Sequence, residues 1–250
     1  MADWALQQGH GVRFDWGPAG AERLAPECAC LVVVDVLSFT TAVEVAVEAG
    51  TRVFPYAWRD ASAASFAAER DAELAVGRRA SGPAAPWSLS PAALRRAPFA
   101  PRLVLPSPNG SAIAAAAAPG SVVVAASLRN AEAVGRWLAG AGFGTQDRPV
   151  AVIAAGERWP EGALRPALED LLGAGAVISA VGAGACSPEA SAAAGAYAST
   201  SDVAAAVHDC ASGRELAAGG FAEDVAVAVE LGVSEVVPVL GEGGGFGAAA

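Results

Sequence analysis

The 250-residue sequence has little basic charge, few groups that titrate near neutrality and no long membrane-like run. Sixteen Lys and Arg face 26 Asp and Glu, a formal net charge of −10, and the sequence pI is about 4.7. So acidic a chain argues against nucleic acid or an anionic membrane as partner. It leaves room for a small anionic substrate, because a local pocket can be positive on an acidic protein. No apolar stretch reaches the roughly 18 uncharged residues of a membrane span. Met1-Ala2-Asp3-Trp4 lacks a basic segment leading into an apolar one, so no signal peptide is read there and a cytoplasmic location is expected. Two histidines, His10 and His208, leave little material for a histidine-rich metal site or a Ser-His-Asp triad. Of the four cysteines, Cys28 and Cys30 are spaced too tightly for a CxxC pair, and Cys186 and Cys210 do not form a second one. All four are expected to be reduced.

What is present is apolar and patterned. Hydrophobic residues make up 54% and charged residues 17%, which excludes intrinsic disorder. The length suffices for one large α/β domain with a sizeable core. Short β-branched runs alternate with alanine-rich stretches, the pattern of an α/β protein. The expected fold is a three-layer α/β/α arrangement with a mostly parallel or mixed central sheet, as a single domain over residues 1–240. Residues 241–250 read as a flexible Gly/Ala tail. A chain this apolar is also compatible with a homodimer.

Strands are expected at residues 12–16, 31–35, 52–56, 103–105, 121–125, 150–154 and 236–239. Pro238 favours a sheet edge for the last. Helices are expected at residues 19–24, 39–49, 60–74, 112–118, 130–138 and 166–181, and in several segments over 188–231. Residues 81–101 read as a long loop with a short helix near 91–96; loops of that length in a compact domain are often functional.

Four strand-to-helix junctions carry polar residues: Asp35 to Thr41, Pro106 to Ser111, Ser127 to Asn130, and Gly156-Glu157-Arg158 leading through Arg165 to Glu169-Asp170. If the strands are parallel neighbours, all four junctions lie at the carboxyl edge of one sheet, where open α/β sheets bind ligands. Helix N-termini there suit an anion. Ser38, Thr40, Thr41, Asn109, Gly110, Ser111 and Asn130 are the candidate substrate contacts, although Ser38 and Ser111 also read as simple helix caps. Asp35 stands out, because a carboxylate ending a buried strand needs a partner, a metal or water. Asp35, Glu169 and Asp170 together would offer hard oxygen ligands for Mg²⁺, and Arg158 or Arg165 could clamp an anion.

The same segments resemble the 2-phosphosulfolactate phosphatase family, the ComB-type enzymes. The resemblance rests on Asp35-Val36-Leu37 with Thr40-Thr41, Asn109-Gly110-Ser111, Asn130-Ala131, Glu169-Asp170 with Ala174-Gly175, and a late stretch from Gly220 through Asp224 to Pro238. It implies an α/β/α fold, Mg²⁺ as cofactor, and hydrolysis of a phosphate ester on a small sulfonated acid. Asp35, Glu169, Asp170 and Arg165 would be the catalytic set. Two positions depart from the family pattern. Ser38 stands where the family has arginine, and Arg78 follows Gly77 where the family has glutamate; Arg78 or Arg79 would compensate for the missing arginine if it points inward. These departures motivate a rival reading, a non-catalytic relative that binds a small phosphate- or sulfonate-bearing anion. A dinucleotide enzyme is a weak third reading, because no G-x-G-x-x-G follows the first apolar strand.

Overall fold

In the computed structural model, which describes residues 3–57, 60–116, 121–182 and 185–249, the apolar runs become strands and the alanine-rich stretches helices. The strands are β1 (Val12–Trp16), β2 (Cys30–Val34), β3 (Arg52–Tyr56), β4 (Glu73–Leu74), β5 (Arg102–Pro106), β6 (Val122–Ala126), β7 (Val150–Ala154), β8 (Glu157–Arg158), β9 (Leu164–Arg165), β10 (Pro238–Leu240) and β11 (Phe246–Ala248). The helices are α1 (Gly17–Leu24), α2 (Phe39–Glu48), α3 (Ser62–Ala68), α4 (Pro91–Leu94), α5 (Gly110–Ala115), α6 (Ala131–Gly140), α7 (Leu168–Val181), α8 (Pro188–Ser199), α9 (Val203–Asp209), α10 (Ala211–Leu216) and α11 (Ala222–Ala228). The end of the helix expected over residues 112–118, at Ala117 and Ala118, lies outside the described residues.

Nine of these strands form one sheet in the order β1-β7-β2-β6-β10-β11-β3-β5-β4, and β8 and β9 make a separate hairpin. Strands β1, β7, β2 and β6 are mutually parallel, as are β3, β5 and β4. Antiparallel β10 and β11 join the two halves. Alternation along the central strands builds the layers. Cys30, Val32 and Val34 pack into a core that includes Ala174 and Val177 of α7. Leu31 and Val33 face the other way, into a core with Phe39 and Val43 of α2 and Ile113 of α5. A strand apolar on both faces is what a helix-covered parallel sheet requires. The fold is therefore a three-layer α/β/α sandwich around a mixed sheet. No described helix is long and apolar enough to cross a membrane.

Three expectations are corrected. The helix at residues 60–74 ends at Ala68; Asp71 takes a positive φ of 48°. Glu73 and Leu74 then pair with Leu103 and Val104 as the edge strand β4, so backbone pairing overrides local helix propensity. The last strand is interior, not an edge, because β10 lies between β6 and β11. Pro238 is tolerated as its first residue, where a missing N–H costs least. The tail at 241–250 is not wholly flexible. Phe246 is fully buried and pairs with Val53 across to β3, so burial of one aromatic side chain anchors the glycine-rich segment.

Candidate active site

The turn after β2 is closed by its own threonines. The Thr40 hydroxyl accepts from the Asp35 N–H at 2.9 Å and donates to the Asp35 carbonyl at 2.7 Å. The Thr41 hydroxyl donates to the Val36 carbonyl at 2.8 Å. Both side chains are fully buried, so they shape the turn and do not face a ligand. The turn leaves the Asp35 carboxylate between two helix starts. Its Oδ1 accepts the Phe39 N–H of α2 and its Oδ2 the Gly110 N–H of α5, each at 3.1 Å.

That second contact spans the two halves of the sheet. Strand β5 runs opposite to β2 in the ladder, so the four junctions do not share one parallel edge as expected. Each step of a twisted sheet turns by roughly 20–25°, and five steps separate β2 from β5, accumulating somewhat more than a quarter turn. The carboxyl ends of the two halves can thus converge, and the Gly110–Asp35 bond shows that they do. The approach requires glycine. A Cβ on residue 110 would lie 2.3 Å from Phe39 Cδ1 and 2.9 Å from Asp35 Oδ2.

Asp170, early in α7, ties two junctions together. Its Oδ1 accepts the Val36 N–H at 2.7 Å and its Oδ2 the Gly156 N–H at 2.8 Å. Glu169 beside it is buried and accepts from the Cys210 thiol, Sγ to Oε2 3.3 Å. Burial and the adjacent Glu169 push that thiol up to about 11, so it remains a donor. Glu157 sits in the β8–β9 hairpin opposite Arg165, and its carboxylate accepts from Asn109 Nδ2 at 3.5 Å.

These acids crowd one another. Burial pushes the Asp35 carboxyl up to about 6, opposed by its two N–H donors and by Arg78, and reinforced by Glu169. Burial and the charges of Asp35 and Glu169 push Glu157 up to about 7 against the pull of Arg165. Asp170 is raised well above the carboxylate range by burial, Glu169 and Asp35. The site thus holds more negative charge than its surroundings neutralise. Among the described residues, though, no three His, Cys, Asp or Glu side chains converge as a ready metal ligand set. The expected Asp35-Glu169-Asp170 triad is not such a set, because both Asp170 oxygens are engaged by backbone donors from different junctions.

Every cation available here is arginine, since the chain contains no lysine. Arg165 lies near Glu157, its Nη2 held by Glu215 Oε2 at 2.8 Å and its guanidinium 5.6 Å from the centre of the Trp159 ring. Arg158 is exposed and bonds Gly162 of its own hairpin. Arg78 points inward. Its Nε donates to Asp224 Oδ2 at 2.9 Å and its Nη2 to Ser38 Oγ. A cation therefore stands at Ser38, delivered from another segment. Ser38 also donates to the Leu89 carbonyl at 3.1 Å. Asp224 is buried and accepts further bonds from Ser90 Oγ and the Ala92 N–H, so the long 81–101 loop helps to build the site.

Of the remaining candidates, Ser111 is buried with its hydroxyl unpartnered among the described residues. Asn130 is spent on the backbone. It accepts the Ser127 N–H at 2.8 Å and donates to the Val236 carbonyl at 3.0 Å. Its neighbour Arg129 is buried against Glu44, Glu48 and Glu230. This third junction is thus structural. Glu157, Arg78 and Asp224 were not in the candidate set. Glu157 carried a usable signal, an acid in the polar junction after β7; Arg78 and Asp224 were each named by the family resemblance, but nothing in the sequence shows that they meet across 146 residues.

Two clefts adjoin this centre. One, of about 320 Å³, is lined by Trp16, Asn109, Glu157, Arg158 and Leu164. The other, of about 260 Å³, is lined by Leu74, Val76, Arg78, Leu89 and Pro106 among others. A family model described as 2-phosphosulpholactate phosphatase matches residues 19–243. No curated protein matches the chain.

Proposed function

The chain belongs to the 2-phosphosulpholactate phosphatase family, and on that premise we propose that it is a Mg²⁺-dependent phosphatase hydrolysing the phosphate ester of a small anionic acid. The observation that carries the proposal is the crowding of Asp35, Glu157 and Glu169 at the convergence of β2, α5 and the β8–β9 hairpin. A phosphate dianion cannot approach such a cluster without a cation, and the raised carboxyls of Asp35 and Glu157 are what an added cation would relieve. The donors are hard oxygens, and Mg²⁺ needs only one or two protein carboxylates alongside water and phosphate. Asp35 and Glu169 would hold it; each Asp35 oxygen keeps a lone pair beyond its backbone bond. When bound, the ion would neutralise phosphate charge and polarise the attacking water.

The chain supplies the rest. In hydrolysis a bond forms between water oxygen and phosphorus, the ester P–O bond breaks, and the alkoxide takes a proton. A carboxyl near 7 can accept and return a proton at neutral pH, which suits Glu157 to that exchange. Asn109, just before α5, and Ser111, within it, would contact phosphate oxygens, and Arg165 would balance their charge. Asp170 holds the β2 and β7 junctions in register and takes no part in the chemistry.

The test is a panel of phosphorylated three-carbon acids assayed with Mg²⁺ and with chelator. Turnover lost with chelator, and lowered about 100-fold or more by Asp35→Asn, supports the reading. Activity indifferent to both would overturn it. The rival, a binding-only relative, draws on both departures, at Ser38 and at Arg78; the Arg78–Ser38 contact weakens the first motive, and turnover in the same assay decides against the rival.

A further inference from the structure

We infer that Arg78 is the receptor for a second acid group of the substrate, a carboxylate or sulfonate remote from the ester phosphate, and that Asp224 and Ser38 position it. This deepens the phosphatase reading and rests on it.

The Arg78 guanidinium is oriented from two sides and open on a third. Asp224 fixes Nε at 2.9 Å and Ser38 Oγ takes Nη2. Among the described residues Nη1 has no hydrogen-bond partner, and Arg78 lines the cleft of about 260 Å³. Asp224 cannot serve the ligand itself. It is buried, and Ser90 Oγ and the Ala92 N–H engage its other oxygen. It therefore acts as a brace, holding the planar fork in one rotamer, and a braced guanidinium with a free edge matches the oxygens of a carboxylate or sulfonate.

The cleft walls select for size. Ala63, Leu74, Ala75, Val76, Leu89 and Pro106 are apolar, the other charged lining residue, Asp60, is exposed at the rim with its Oδ1 taken by the Ser62 N–H and hydroxyl, and about 260 Å³ lies below the range that holds drug-sized ligands. The space suits a chain of a few carbons ending in an acid, not a nucleotide. Arg78 bonds Ser38, which lies in the turn whose Phe39 N–H holds the Asp35 carboxylate, so the acid-binding edge and the reaction centre are neighbours. One small molecule can bridge them, with its phosphate at Asp35 and its second acid at Arg78. Esters lacking that second acid would leave the Nη1 edge unmatched and be discriminated against.

The experiment compares two esters on the full-length protein with Mg²⁺: a phosphorylated three-carbon hydroxy acid bearing the remote acid, and the same ester with that acid replaced by a carboxamide. Wild type should favour the acid ester by about tenfold or more in kcat/KM, the scale of one charge-assisted contact. In Arg78→Gln the acid ester should lose at least about tenfold more than the amide ester, mostly through KM, and Arg78→Lys should restore part of the preference. Where Arg78→Gln leaves Asp224 uncompensated and misfolds, Arg78→Gln with Asp224→Asn removes both charges and serves instead. A wild type blind to the remote acid, or variants that lose both esters equally, overturns the inference. If no ester is hydrolysed, the phosphatase reading fails, and calorimetry decides the inference alone. Sulfolactate affinity falling about tenfold more than inorganic phosphate affinity in the variant supports it; equal losses, or no sulfolactate binding by wild type, sink it.

Discussion

Replacing Glu157 by glutamine should make the protein more stable above neutral pH while lowering its activity. The folded carboxyl sits near 7 where its ordinary value is 4.5. The folded state therefore holds the proton more tightly than the unfolded chain does. The contribution to stability is fully present below about 4.5 and is lost as pH rises through about 7. Ionising this group costs the fold about 3 kcal/mol relative to the unfolded chain. Solvent reaches part of the side chain, which trims the figure to about 2 kcal/mol. Glutamine removes the charge at little cost in bonding, since its amide oxygen can still accept from Asn109, a contact already long at 3.5 Å. Asp35 gains as well, because one neighbouring charge disappears. At pH 8, without divalent ions, the variant should melt about 4–8 °C higher than wild type, and the two curves should converge toward pH 4.5. Thermal unfolding monitored by circular dichroism across that range is the assay. A variant less stable at pH 8, or one offset equally at both pH values, would show that packing and not charge governs the site.

The remaining predictions concern the scaffold and the ion. Gly110→Ala forces a methyl against Phe39 and Asp35; calorimetry should show about 1–3 kcal/mol lost, with turnover falling as Asp35 is displaced. Asp170→Ala strands the Val36 and Gly156 N–H groups, and urea unfolding should report about 2–5 kcal/mol lost for two buried donors, a value near zero arguing that the staple is not structural. Phe246→Ala should cost about 3–5 kcal/mol, whereas a free tail would cost nothing. Mg²⁺ at pH 8 should stabilise wild type, by about 2.7 kcal/mol at a hundredfold excess over its dissociation constant, and should do so less in Asp35→Asn.

The strands were largely legible because their cause is local. Residues 12–16, 52–56 and 150–154 are apolar or β-branched runs closed by turn residues, and the structure places β1, β3 and β7 there to the residue. The sheet order was not legible. The reversal at its middle depends on β10 and β11, and β11 comes from a Gly/Ala segment whose signal is one phenylalanine. The same limit explains β4. An alanine-rich amphipathic stretch reads as helix until a free sheet edge is available to pair with it.

The site divides along the same line. Asp35 was visible because a carboxylate ending a fully buried strand is costly without a partner. Thr40, Thr41 and Asn130 were misjudged because a polar residue at a junction looks alike whether it meets a ligand or mends the backbone; only the partner atoms distinguish the two. Arg78 makes the sharper case. Ser38 reads in sequence as the loss of a cation that Arg78 or Arg79 could replace, and only the fold shows that Arg78 points inward. The guanidinium that reaches Ser38 starts forty residues away and is braced by a carboxylate 146 residues further on. A binding site constrains where charge ends up, not which strand-end delivers it. The two departures, at Ser38 and Arg78, touch one another in the fold, so their effects need not add and they should be tested as a pair.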